Sequence, residues 1–252
     1  MQPTAEWLKT WESKREFTLA PNDLEKYFTD KEIGGVEIDQ IEMGEVSLPS
    51  GKIFVNDPLG EYLAMDKDPY FLETPKGNFP VTASIVKYED DGDVENLIGC
   101  VKVAFTNEKP VRYEEAMKGI ELIEELQEGE YFGFSIESGL ATIVDAEAKE
   151  SFVKFIDEFE SKGNDVNLYD DYFNSLFVEN AKNNPKYQSE EGDWINWTVP
   201  VTEFKAPIFQ AGFGEGIYPA YFGYNAKGEI VAFYIQFIDA ELEDSEEDED
   251  WL

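Results

Sequence analysis

Tight-turn signals recur along this chain between short runs of β-forming residues, and that punctuation restricts it to sheets built from hairpins. Residues 45–48 and 52–55 flank Pro49-Ser50-Gly51. Residues 80–88 alternate as a half-buried strand does, and the acidic turn Glu89-Asp90-Asp91-Gly92-Asp93 joins them to residues 97–105. The pattern repeats with residues 131–136 and 141–145 around Glu137-Ser138-Gly139, and with 218–224 and 230–238 around Asn225-Ala226-Lys227-Gly228. A further strand is predicted over 194–199.

Helical spacing appears in two places. Trp7, Leu8 and Trp11 fall one turn apart, and Asn22-Asp23-Leu24-Glu25 has the form of a helix start. Residues 146–162 place Phe152, Phe155, Ile156 and Phe159 on one face, and 169–180 form a shorter helix with Tyr172, Phe173, Leu176 and Phe177 apolar. The expectation is an α+β protein, mostly β, with antiparallel hairpin sheets in a sandwich-like arrangement. A helical extension (1–32) packs on a single mainly-β domain (33–238), which carries a two-helix insertion at about 146–180. An acidic, disordered tail (239–252) follows. No repeat of fixed period is present.

Charge narrows the partners. The 252 residues hold 55 acids against 20 bases, a net charge of -35. Nine of those acids lie between Asp239 and Asp250, which leaves the body at -26. Such a body is repelled by nucleic acid and by anionic lipid and attracts a basic protein; solubility alone is the competing explanation. The single cysteine, Cys100, sits in an apolar strand and reads as a buried hydrophobe. No apolar run approaches the ~18 residues of a membrane span. The first residues lack the basic start and apolar core of a signal peptide. A cytoplasmic location is expected.

The chain has no histidine, which excludes histidine-based triads and zinc sites with histidine ligands. Any chemistry must use carboxylates, Lys, Tyr or a hard metal on oxygen ligands. The densest motif is Gly212-Phe213-Gly214-Glu215-Gly216-Ile217-Tyr218-Pro219-Ala220-Tyr221-Phe222-Gly223-Tyr224. Its alternate glycines permit unusual backbone angles and frame Glu215, and its tyrosines supply aromatic area with hydroxyl handles. It reads either as a twisted loop entering a core strand or as a binding surface of Phe213, Glu215, Tyr218, Tyr221 and Tyr224. Its spacing is not that of a phosphate loop. Asp145 is a helix N-cap or a site acid, and Asp193 is a turn acid or the third member of an acidic cluster. Asp90, Asp91 and Asp93 lack the spacing of a calcium loop. No cofactor or metal is assigned.

The motif from Gly212 to Asn225, followed by Gly228-Glu229-Ile230-Val231, resembles the C-terminal hallmark of the bacterial "domain of unknown function 4241" family. Leu48-Pro49-Ser50-Gly51-Lys52-Ile53 with Asp57-Pro58, Gly77-Asn78-Phe79-Pro80-Val81, and Phe132-Gly133-Phe134 through Val144-Asp145-Ala146-Glu147-Ala148 match in the same order. The resemblance spans about residues 44–237 and carries no established activity. Its implication, from members that accompany secreted-toxin genes, is an immunity protein.

Three functions are therefore expected. The first is a macromolecule-binding protein that neutralises a basic bacterial toxin by occlusion. The second is a metal-dependent hydrolase using Glu215, Asp145 and Asp193, which requires those acids to converge. The third is an acidic housekeeping interaction protein.

Overall fold

The computed structural model describes residues 2–59, 62–90, 93–163 and 166–241. It is an α+β fold, mostly β, whose larger sheet curls into a half-barrel. That sheet has seven antiparallel strands. Along the chain they are β1 (Glu32–Ile33), β2 (Val36–Leu48), β4 (Gly77–Asp90), β5 (Asp93–Ala104), β6 (Arg112–Glu115), β12 (Ala220–Tyr224) and β13 (Ile230–Gln236). Their spatial order is β1-β2-β4-β5-β13-β12-β6.

A four-stranded sheet, ordered β3-β8-β10-β9, holds β3 (Ile53–Asn56), β8 (Leu140–Asp145), β9 (Trp194–Thr198) and β10 (Lys205–Gln210). Strands β7 (Phe134–Ile136) and β11 (Gly216–Tyr218) form a separate pair.

The four-stranded sheet is the middle layer, and strand alternation explains how its residues are shared out. Ile53, Val55, Ala141, Ile143, Trp194 and Phe209 point into the main core against the seven-stranded sheet. Their neighbours Phe54, Val144, Ile195, Trp197, Ala206 and Ile208 point the other way, into a second core. Helices α4 (Ala146–Glu160) and α5 (Asn174–Asn183) cover that face, and Phe152, Ile156, Phe159 and Phe177 are buried against it. Each such side chain contributes about 1.5–3 kcal/mol when fully buried. The turn before α5 is π-helical over Tyr169–Phe173, so the predicted second helix exists but starts irregularly.

At the N-terminus, α1 (Ala5–Ser13) is capped by Thr4, whose hydroxyl accepts from the Trp7 amide. Trp7 and Trp11 pack with Phe71, Met117 and Ile123 in a third, smaller cluster. The short α2 (Lys26–Thr29) is pinned beside Glu25, which pairs with Lys102 at 2.6 Å and accepts from the Tyr234 hydroxyl. Another single turn, α3 (Tyr62–Met65), precedes β4. The acidic tail expected from 239 lies outside the described residues from 242 onward, as do Asp91 and Gly92 of the acidic turn.

The β4–β5 and β12–β13 hairpins form as expected, and Cys100 is buried in β5. Two other predicted hairpins do not. Across Pro49-Ser50-Gly51, β2 pairs with β4 while β3 pairs with β8, so the chain passes from one sheet to the other. Across Glu137-Ser138-Gly139, β7 pairs with β11 and β8 with β3 and β10.

The physical reason is the same in both places: a buried carboxylate captures the turn's amides. Asp145 accepts from Ser50 N (3.1 Å), Gly51 N (3.0 Å), the Ser50 hydroxyl (2.8 Å) and Glu147 N (2.9 Å). Asp57 accepts from Glu137 N (3.0 Å), Ser138 N (2.6 Å), the Ser138 hydroxyl (2.6 Å) and Leu59 N (2.9 Å). Both aspartates are fully buried.

Asp145→Ala would strand four donors at the joint between β3, β8 and α4. We expect it to lower the unfolding free energy by about 3–4 kcal/mol, read as a lower urea midpoint at unchanged slope. A variant within ~1 kcal/mol of wild type would show that the Ser50-Gly51 turn is held by something else.

Candidate functional site

The structure separates the residues singled out in the sequence. Asp145 is the N-cap of α4 and the acceptor of the 50–51 turn. Asp193 closes another turn, accepting from Ser189 N at 2.7 Å and the Ser189 hydroxyl at 2.8 Å. The Asp193 carbonyl bonds Gln210 N, and Gln210 lies across from Leu140. Asp145, at the far end of β8, is therefore roughly 16 Å from that level. Glu215 is exposed on the loop before β11. Among the described residues no three acids or cysteines gather as metal ligands would, so the convergence that the hydrolase reading requires is not formed.

The tyrosines of the motif serve the interior. Tyr218, Tyr221 and Tyr224 are all buried, and Phe222 is fully so. Gly214 sits at φ +103°, a region that side chains other than glycine avoid. Here it lets the loop curl so that the Tyr218 hydroxyl donates to the Gly214 carbonyl at 3.0 Å. Phe213, by contrast, is 57% exposed and rests edge-on against Tyr88. The expectation of a recognition surface made of Tyr218, Tyr221 and Tyr224 is thus corrected: hydrophobic burial claims these rings, and the exposed apolar groups of the motif are Phe213 and Ile217.

Two clefts flank the glycine loop. One, of about 740 Å³, is open and includes Phe213, Gly139 and Tyr169 in its lining. The other, of about 620 Å³, is more apolar and lies between three walls. The 16–21 segment brings Phe17 and Leu19, each 40% exposed. The 128–131 loop brings Tyr131, whose hydroxyl donates to the Ile217 carbonyl. The motif itself brings Ile217, Tyr218 and Tyr221. A volume of this size suits a small ligand or the tip of a peptide.

Glu115 lies at the base of this second cleft. It ends β6 directly across from Tyr221 of β12, so their side chains share a face of the sheet. One carboxylate oxygen accepts from Phe132 N at 2.8 Å and Gly133 N at 2.9 Å. Gly133 is required here: its φ is +61°, and a Cβ would stand 2.8 Å from the Tyr218 carbonyl oxygen. The second oxygen, Oε2, is buried and has no hydrogen-bond partner in the protein. The residue as a whole is 4% exposed.

Burial pushes the Glu115 carboxyl up to about 7, the two amides pull it partly back, and the negative Glu121 adds to the rise. Its neighbour Glu114 faces the other way and is matched by Arg15 at 2.7 Å and Arg112 at 3.1 Å. The remaining charged residues lining the cleft are Glu16, Glu128, Glu130 and Asp239, with no lysine or arginine among the described ones. The cleft therefore offers acceptors and aromatic faces without a fixed positive charge.

A family model described as "Protein of unknown function (DUF4241)" matches residues 46–235. The chain belongs to this family. No curated protein and no solved structure matches it. Within the family region fall Glu115, Tyr131, Ile217, Tyr218 and Tyr221, which build the cleft's floor and two of its walls. The 16–21 wall lies outside that region.

Glu115 was missed by sequence reasoning, which drew its candidates from turns and glycine motifs. The available signal was Tyr113-Glu114-Glu115-Ala116. In a strand, two consecutive acids must face opposite sides, so a covered strand has to bury at least one of them.

A carboxyl whose folded-state value is raised keeps its proton where the unfolded chain has already lost it. The stability this gives is full below about pH 4.5 and is lost as pH rises through about 7. Glu115→Gln removes the dependence. We expect the variant to match wild type near pH 4.5 and to exceed it above pH 7 by about 3 kcal/mol, measured as the difference in unfolding free energy across pH. An unchanged difference between pH 4.5 and 8 would refute the raised carboxyl.

Proposed function

We propose that this protein binds a basic macromolecule, and in its specific form is an immunity protein that occludes a basic toxin. The observation that carries the reading is the net charge of -35, of which -26 remains without the acidic segment from Asp239 to Asp250. A surface this negative raises the local concentration of cationic partners and speeds their encounter, toward ~10⁸–10⁹ M⁻¹s⁻¹ at low salt against ~10⁵–10⁶ for an unsteered pair. Nucleic acid is disfavoured by the same field. The base-free cleft beside the family motif supports a cationic partner, and the toxin-linked genes that the family resemblance brings with it support the immunity form.

The test is capture of the tagged full-length chain's partner from its source cells at low salt, with elution by rising salt and identification by mass spectrometry. One stoichiometric basic partner is expected. Its association rate should fall at least tenfold between ~20 and ~200 mM salt, and its toxicity should be suppressed by co-expression. Recovery of the chain alone, or a partner whose association ignores salt, would overturn the reading.

A further inference from the structure

Two clefts flank the glycine-aromatic motif, the open one at Phe213 and the more apolar one over Glu115. The first has polar rims and contains no buried group left short of a partner among the described residues. The second is built around such a group. We infer that the cleft over Glu115 is the recognition pocket for an arginine side chain carried by the basic partner.

The argument starts from an imbalance on one strand. Glu114 and Glu115 are adjacent on β6, face opposite ways and are both buried. The chain answers Glu114 with two guanidinium groups of its own, Arg15 and Arg112. It answers Glu115 with two amides on one oxygen and leaves Oε2 without a donor. A buried carboxylate oxygen left unpaired is costly, and a cation that reaches it recovers that cost on binding.

The cleft's shape and charge select the cation. Phe17 and Tyr131 present aromatic surface, on which a planar and weakly hydrated guanidinium stacks better than an ammonium does. The rim carboxylates Glu16, Glu128 and Glu130 are exposed and supply further acceptors for the remaining N–H groups. The half-exposed rims of Phe17, Leu19, Tyr131 and Ile217 would cover the aliphatic stem.

This inference rests on the proposed binding of a basic macromolecule, and its test uses a defined probe. The full chain is titrated at low salt with the peptide acetyl-Gly-Arg-Gly-amide and with its neutral citrulline counterpart, followed by amide NMR shifts. Shifts centred on Tyr131, Ile217 and Tyr221 are expected with the arginine peptide, and affinity at least tenfold weaker with citrulline. Glu115→Gln should weaken arginine binding at least tenfold. Tyr131→Ala, at an exposed rim position, should weaken it at least threefold and tests the aromatic wall independently of the carboxylate. Equal binding of both peptides, shifts centred on Phe213, or wild-type affinity in Tyr131→Ala would overturn the inference. Peptide binding in the cleft without any captured basic partner would leave the pocket standing and remove the functional reading. A captured partner indifferent to both substitutions would do the reverse.

Discussion

Buried carboxylates that accept backbone amides are the interaction on which the rest of this structure depends. A loop that leaves one sheet and enters another cannot satisfy its N–H groups by strand pairing, and in the interior it has no water to use. Asp145 and Asp57 meet that need at two of the places where the chain crosses between sheets, from β2 to β3 and from β7 to β8, each taking four donors. Asp193 and Glu121 repeat it in smaller loops: Asp193 holds Ser189, and Glu121 accepts from the amides of Lys118, Gly119 and Ile120. An ionised carboxylate is acceptor-only and stronger than a neutral partner, so one acid can close a turn that a hydroxyl could not. The acids of this chain are thus divided between a solvated surface and an internal scaffold, and only the first group is available for steering a partner.

Glu115 uses the same device but leaves it incomplete. It takes two amides from the 132–133 loop and has a second oxygen to spare. In Asp145 and Asp57 both oxygens are engaged, which makes them structural. That difference marks the cleft more sharply than its size does, since the neighbouring cleft at Phe213 is larger.

Much of the architecture was legible because alternation and helical period are local properties. The β4–β5 and β12–β13 hairpins, the amphipathic α4 and the buried Cys100 all follow from residues close together in sequence. Pairing partners were not legible at Ser50-Gly51 or Ser138-Gly139. A turn signal marks where a strand stops, while the acid that captures its amides lies 80 to 95 positions away. The site was hidden for a related reason. The glycine-aromatic motif drew attention to its tyrosines, yet large aromatic area is most stabilising in the core, and Tyr218, Tyr221 and Tyr224 are placed there. The carboxylate oxygen without a partner at the cleft's floor belongs to Glu115 on β6, a short strand with no motif of its own.

Strand β6 also determines how the cleft is held open. Its Glu114 carboxylate binds Arg15, its backbone forms a bridge with Leu19, and the Tyr113 carbonyl accepts from Ala20 N. These contacts fix residues 15–20, which become one wall. Its Glu115 forms the floor and, through Phe132 and Gly133, anchors the loop that carries the Tyr131 wall. The remaining wall is tied in as well, because Tyr221 pairs with Glu115 across the sheet and Tyr131 bonds the Ile217 carbonyl. Every wall is therefore referenced to one short strand, with the ion pairs on one of its faces and the open carboxylate on the other. A pocket built in this way is preorganised: the cost of ordering its walls is met on folding, so a cation entering it need only lose its own water.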